Sequence, residues 1–219
     1  MAFKFDQAKK GGKLMKELAI YGGTFAPVHN GHLLAANAFF ETVKPDKMLI
    51  IPTLIPPHKR IDFADDPKER LEMLHLTFDS HPEYGKKLFI SEYELNSPPP
   101  SYTVNTLKHF SSPDTHITFL CGTDMFLTIH SWHRADEILK LCTVALMKRE
   151  AENMEISEKI EKQRKFLIES FKADITTIDV PPIEISSSEI RSGNDEIRKK
   201  YLPPTVYNYI KEKKLYEAK

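Results

Sequence analysis

Residues 18–34, LAIYGGTFAPVHNGHLL, set Gly22 and Gly23 directly after an apolar β-type stretch, and set His29 and His32 around the start of a helix-like one. A helix start offers unpaired N–H groups and the positive end of its dipole, and glycines let a ligand approach the backbone, so the natural guest is a phosphate. Thr24 and Phe25 complete the turn. Two imidazoles three residues apart can both donate to one polyphosphate. The pattern is neither GxGxxG nor a P-loop. Read as metal ligands, the histidines lack a Cys, Asp or Glu at ligand spacing, and no G-x-S-x-G elbow suggests a nucleophilic serine.

A second candidate lies near the end of the chain, in ISSSEIR, residues 185–191. Ser186, Ser187 and Ser188 stand where a helix would begin, and Arg191, one turn on, can fork onto phosphate oxygens as a lysine cannot. Plain serine capping with a solvent-facing arginine is the competing structural reading. Neither motif supplies a general base. A phosphate monoester needs none, because its second pKa near 6 leaves it mostly ionised at neutral pH. Transfer between phosphates then depends on positioning and charge neutralisation, which these residues could provide.

Those residues require a scaffold of alternating strands and helices. Short β-type runs recur at 18–21, 48–52, 88–91, 117–120, 143–147 and 175–180. Helix-like stretches at 32–43, 66–78, 101–110, 133–142 and 152–171 lie between most of them, and the last carries Ile156, Ile160, Leu167 and Phe171 on one face. Such alternation predicts an α/β fold, a Rossmann-like parallel sheet with helices on both faces, whose ligands sit at the carboxyl ends of the strands. Two helical pieces are expected at the end, one after Ser188 and one opened by Pro203 and Pro204.

Composition narrows the partners. The 219 residues hold 31 Lys plus Arg against 31 Asp plus Glu, so the net charge is zero, and 41% are hydrophobic. That apolar share supports a folded core, and neutrality argues against nucleic acid or an anionic membrane as the partner. No apolar run approaches the roughly 18 residues of a membrane span, and the basic start lacks a signal peptide's apolar stretch, so a cytoplasmic protein is expected. Cys121 and Cys142 sit in apolar stretches and read as reduced core residues. Residues 1–16, with Lys4, Lys9, Lys10, Lys13 and Lys16 against Asp6 alone, are expected to be a mobile extension before one domain over 17–219.

With GGTFAPVHNGHL, PPHK, SYTVNTL, GTDMF followed by Trp132, and ISSSEIR in this order, the chain resembles the bacterial nicotinate-nucleotide adenylyltransferases over about residues 18–216. The first and last motifs are shared with a wider nucleotidyltransferase superfamily; PPHK, SYT and the tryptophan narrow the resemblance. It implies a single nucleotidyltransferase domain that transfers AMP from ATP, accompanied by Mg2+, to nicotinate mononucleotide. His29, His32 and Arg191 would be catalytic. Gly22, Gly23, Thr24, Phe25, Gly122, Asp124, Ser187 and Ser188 would bind ATP, and His58, Lys59, Thr103 and Trp132 the mononucleotide, with no protein-held metal. A homo-oligomer is compatible with the sequence, which does not decide the oligomeric state.

Two positions depart from the family pattern. Ala26 stands where Asp is usual and Asn105 where Asp is common. Both read as supporting positions, although loss of the carboxylate at 26 puts the rate in question. Two alternatives stay open: a phosphopantetheine or other nucleotidyltransferase of the same superfamily, and a non-catalytic nucleotide-sensing module, the latter motivated by Ala26.

Overall fold

The computed structural model describes residues 9–10, 13–56, 66–148, 154–180 and 185–216, with side chains from Met15 onward. Strands β1 (Lys9–Lys10) and β2 (Lys13–Leu14) pair antiparallel, apart from the main sheet. That sheet contains β3 (Lys16–Gly23), β4 (Lys47–Pro52), β5 (Leu88–Ile90), β6 (Thr115–Gly122), β7 (Thr143–Lys148) and β8 (Asp174–Asp179). All are parallel, in the order β5-β4-β3-β6-β7-β8. The six β-type runs of the sequence are these six strands, and β3 begins one residue before the expected domain start.

The period of two along β3 divides the core. Ala19 and Tyr21 face one layer, with Ala36 and Phe39 of α1 (Asn30–Val43), Met73 and Leu74 of α2 (Pro67–Phe78) and Val206 and Ile210 of α9 (Pro204–Lys213). Leu18 and Ile20 face the other, with Val104 and Leu107 of α3 (Thr103–Phe110), Phe126 of α4 (Thr123–Thr128), Ile138 of α5 (Ala135–Leu141) and Ile160 and Leu167 of α6 (Met154–Phe171). Helices therefore cover both faces, as the near-continuous apolar strands demand. Both cysteines are free and buried, and burial pushes the thiol of Cys142 up to about 12.

Two helices depart from the expected pattern. The segment after β6 coils at once into α4, too short for periodicity to reveal. Near the end there are three helices instead of two, because α7 (Ser187–Ser192) stops at Gly193 and α8 (Asp195–Tyr201) restarts on an Asn194 cap. A Cβ at Gly193 would lie 2.6 Å from the Glu189 carbonyl oxygen, so the turn needs glycine for space.

At the amino edge of the sheet a polar chain ties four strands. Glu17 of β3 accepts from Thr118 (2.6 Å) and bonds His116 Nδ1 (2.7 Å), both on β6. His116 Nε2 meets Thr143 Oγ1 of β7 at 3.0 Å, and Thr143 donates to Asp174 of β8 at 2.5 Å. Thr143 has one hydroxyl hydrogen, already given to Asp174, so His116 donates from both nitrogens and is held as imidazolium. Its pKa is accordingly raised above the ordinary 6.5, first by the Glu17 hydrogen bond and then by the Glu17 and Asp174 charges, against burial. A raised folded value stabilises fully below about 6.5 and loses that contribution as pH climbs through it. The Tm difference between wild type and His116→Gln should therefore shrink from pH 6 to 9, by roughly 2–4 °C for each ~1 kcal/mol. A difference independent of pH would refute the imidazolium assignment.

Candidate active site

The sheet order reverses between β3 and β6: the chain winds outward from β3 through β4 to β5, and from β6 through β7 to β8. The crevice at their carboxyl ends is the switch point where α/β folds bind ligands. Gly23 ends β3 and Gly122 ends β6, so the first motif and the GTD motif enter it from adjacent strands.

From Gly23 the loop Thr24–Val28 leads into α1. His29 is the helix N-cap, only 3% exposed, and its Nδ1 accepts from the Gly31 N–H at 3.1 Å. His32 Nδ1 in turn accepts from the His29 N–H at 3.2 Å. Two histidines thus form a reciprocal capping box of the kind usually made by Ser or Thr with Glu. Because each Nδ1 is an acceptor, each neutral ring carries its hydrogen on Nε2. The rings lie 3.8 Å apart, so paired Nε2–H donors stand at the helix start.

Phe25 shapes the loop through its side chain and its backbone. Its side chain is buried, leaving only backbone for a ligand, and its φ of 51° is left-handed, a strained state for a bulky residue. The ring packs edge-on against Tyr21 (5.3 Å) and His32 (5.1 Å). A Cβ at Gly23 would press on that ring at 3.0 Å, so the tight approach at Gly23 is set by Phe25, whereas one at Gly22 meets only Phe119 at an ordinary 3.7 Å.

The ISSSEIR motif closes onto this loop. Ser187 donates to the Pro27 carbonyl at 2.9 Å, and the Arg191 guanidinium bonds the Ala26 carbonyl and, at 3.0 Å, Ser188 Oγ. Ser186 caps α7 in a box with Glu189, whose carboxyl is lowered first by the Ser186 side-chain hydrogen bond. The hydroxyls of Ser186 and Ser187 are thus given to Glu189 and Pro27, whereas Ser188 Oγ accepts from Arg191, so the helix start offers the Ser188 O–H together with backbone N–H. Ala26 is 3% exposed and contributes its carbonyl, which any residue there would supply.

Two arginines escaped the sequence reading. Arg198 of α8 bonds the carbonyls of Ile190 (3.2 Å), Arg191 (3.0 Å) and Tyr216 (2.7 Å), fixing the end of α7. Arg70 of α2 reaches the Thr24 carbonyl at 2.7 Å. A buried carboxyl was missed too: Glu94 accepts from Thr106 at 2.6 Å and is raised by burial, with the Thr106, Thr53 and Ser101 hydroxyls opposing.

The remaining candidates lie along the same edge. Asp124 is exposed in the first turn of α4. Thr103 opens α3, and Trp132 follows the single-turn 3₁₀ helix Ile129–Ser131. Their neighbours Tyr102 and His133 pack ring to ring at 4.3 Å, which brings the two segments together. Trp132 is half-buried with its indole edge-on to Phe119 at 6.5 Å, and Phe119 is the side chain nearest Gly22, so the tryptophan stands beside the β3–β6 crevice. Asn105 points from the exposed side of α3. His58 and Lys59 lie outside the described residues.

Residues 20–193 match the cytidylyltransferase-like family. A probable nicotinate-nucleotide adenylyltransferase of Caldicellulosiruptor saccharolyticus is 37% identical over 204 residues, 92% of this chain and 99% of that protein. One from Clostridium tetani is 35% identical over 206 residues, covering 92% and 100%. The Plasmodium falciparum nicotinic acid mononucleotide adenylyltransferase complexed with NaAD shares the fold, with a TM-score of 0.71 at 21% identity over 92% of this chain and 97% of that one. The chain therefore belongs to the cytidylyltransferase-like family, within its group of nicotinate-nucleotide adenylyltransferases.

Proposed function

We propose that the protein transfers AMP from MgATP to nicotinate mononucleotide, giving deamido-NAD and pyrophosphate. The observation that carries this reading is the junction of the two phosphate-type motifs: Arg191 and Ser187 hold the loop that presents His29 and His32. An oxygen of the mononucleotide phosphate attacks the α-phosphorus of ATP, the new P–O bond forms, and the bond to the β-phosphate oxygen breaks. No proton has to be removed from the attacking group. The Nε2–H donors and the guanidinium balance the charge that builds on the transferring and leaving phosphates.

Gly122 and Asp124 are assigned to the ribose and Thr103 and Trp132 to the nicotinate ring, with His58 and Lys59 on the side of the mononucleotide phosphate. Among the described residues no group of three or more His, Cys, Asp or Glu is arranged to hold an ion. Magnesium enters with ATP, as part of the nucleotide substrate. No described helix is long and apolar enough to cross a membrane. Two free, buried thiols suit a reducing compartment, and the cytosol is the proposed location.

The test is pyrophosphate release from MgATP offered with nicotinate mononucleotide, its nicotinamide analogue and phosphopantetheine. Nicotinate mononucleotide should give the highest kcat/KM. Fastest release with phosphopantetheine would move the protein elsewhere in the superfamily; nucleotide binding with no release would favour a sensing module.

Trp132 gives the acceptor assignment its own readout. It is the only tryptophan, so all indole fluorescence reports on one place, and stacking on an electron-poor pyridinium should quench it. Saturable quenching by nicotinate mononucleotide is expected, with the nicotinamide analogue needing higher concentrations because a site arranged for a carboxylate leaves partners unpaired. Unchanged fluorescence during turnover would relegate Trp132 to packing against Phe119.

A further inference from the structure

Arg70 lies on the apolar stripe of α2, in phase with Met73, Leu74, Thr77 and Phe78, and is 1% exposed. A guanidinium there forgoes water, which is costly unless hydrogen bonds replace it. A replacement it has is the Thr24 carbonyl, 46 residues away in sequence and 2.7 Å in space. We propose that Arg70 is a positioning residue for the nucleotide, holding Thr24–Val28 in the conformation that turns its backbone N–H groups toward the ATP phosphates. This rests on the adenylyl-transfer reading.

Three features converge on that loop. Phe25 is left-handed, and such a state persists only where its surroundings over-determine it. The surroundings are two clamps from opposite sides of the chain: Arg70 on the carbonyl of Thr24, and Arg191 with Ser187 on those of Ala26 and Pro27. The Thr24–Phe25 peptide is trans, so its N–H points opposite to its C=O. An arginine that fixes the Thr24 oxygen toward α2 therefore fixes the Phe25 N–H away from it. Phe25 in turn packs its ring on His32, so slack at Thr24 reaches the catalytic histidine as well.

The experiment compares Arg70→Met and Arg70→Lys with wild type. The readouts are Tm, affinity for a non-hydrolysable ATP analogue by calorimetry, KM for each substrate, and amide exchange over residues 24–28. Arg70→Met should weaken analogue binding about tenfold and lower kcat, with KM for nicotinate mononucleotide within about twofold, since misplacement of a binding loop costs rate out of proportion to its distance. The Phe25 and Val28 amides should exchange faster while those of β3 and β6 do not. Arg70→Lys should lie between, an ammonium replacing the charge but not the fork; should Arg70→Met fail to fold, it decides alone. A lower Tm with unaltered analogue affinity would overturn the proposal, as would an equal rise in both KM values. Wild-type turnover with a different acceptor would sink the functional reading while leaving the ATP-side comparison intact.

Discussion

His32→Ala is expected to lower kcat about 100-fold or more, the usual consequence of removing one donor directed at developing transition-state charge. Alanine alone cannot prove it. His32 Nδ1 also accepts the His29 N–H at the start of α1, and loss of a cap costs roughly 0.5–2 kcal/mol. His32→Asn separates the two roles, because its Oδ1 stands near the place of Nδ1 while nothing replaces the Nε2–H. This variant should keep a Tm close to wild type and still lose about 100-fold in kcat. Full activity in His32→Asn would make His32 a cap and nothing more. Recovered Tm with unrecovered rate is the expected pattern.

The same residue illustrates how much of the site was legible beforehand. HNGH at a helix start was readable because glycine, imidazole and dipole each carry local meaning, and the capping box is itself a local device. The four inner strands β4, β3, β6 and β7 were readable because each is an apolar run buried on both faces, whereas the edge strands β5 and β8 are only partly buried and showed as short β-type runs. What stayed hidden depends on contacts distant in sequence. Arg70 reads as one charge among the many of DPKERLEML until its spacing to Met73, Leu74, Thr77 and Phe78 puts it on the buried stripe. That phase was the available signal. Arg198 and Glu94 gave none, since their partners lie in α7 and α3, whose approach only the fold determines. The serine hydroxyls were legible only in part: ISSSEIR has the right donors, but Glu189 and Pro27 take those of Ser186 and Ser187, while Ser188 accepts from Arg191.

Arg191 should show the largest loss of all, because it holds the loop and is proposed to neutralise phosphate charge. A guanidinium has five N–H donors in a fixed fork. Those on the Ala26 carbonyl and Ser188 leave the group aimed across the join of the two motifs. Lysine keeps the charge but cannot hold a carbonyl and fork onto phosphate together. Arg191→Lys is therefore expected to lower kcat/KM for ATP about 1000-fold, combining a lost donor, about 100-fold or more, with a slackened loop. KM for nicotinate mononucleotide should move little. Ser187→Ala is the control, since it removes the bond to Pro27 yet keeps the Ser187 backbone N–H at the start of α7. If Arg191 only braced the loop, the two variants would lose similar activity; a loss at least tenfold greater in Arg191→Lys is the result that assigns it to phosphate charge. Because the bracing oxygen of residue 26 belongs to the backbone, Ala26→Asp should not restore Arg191→Lys, and restoration by that second change would mean that a carboxylate at 26, and not the carbonyl, is what organises this loop.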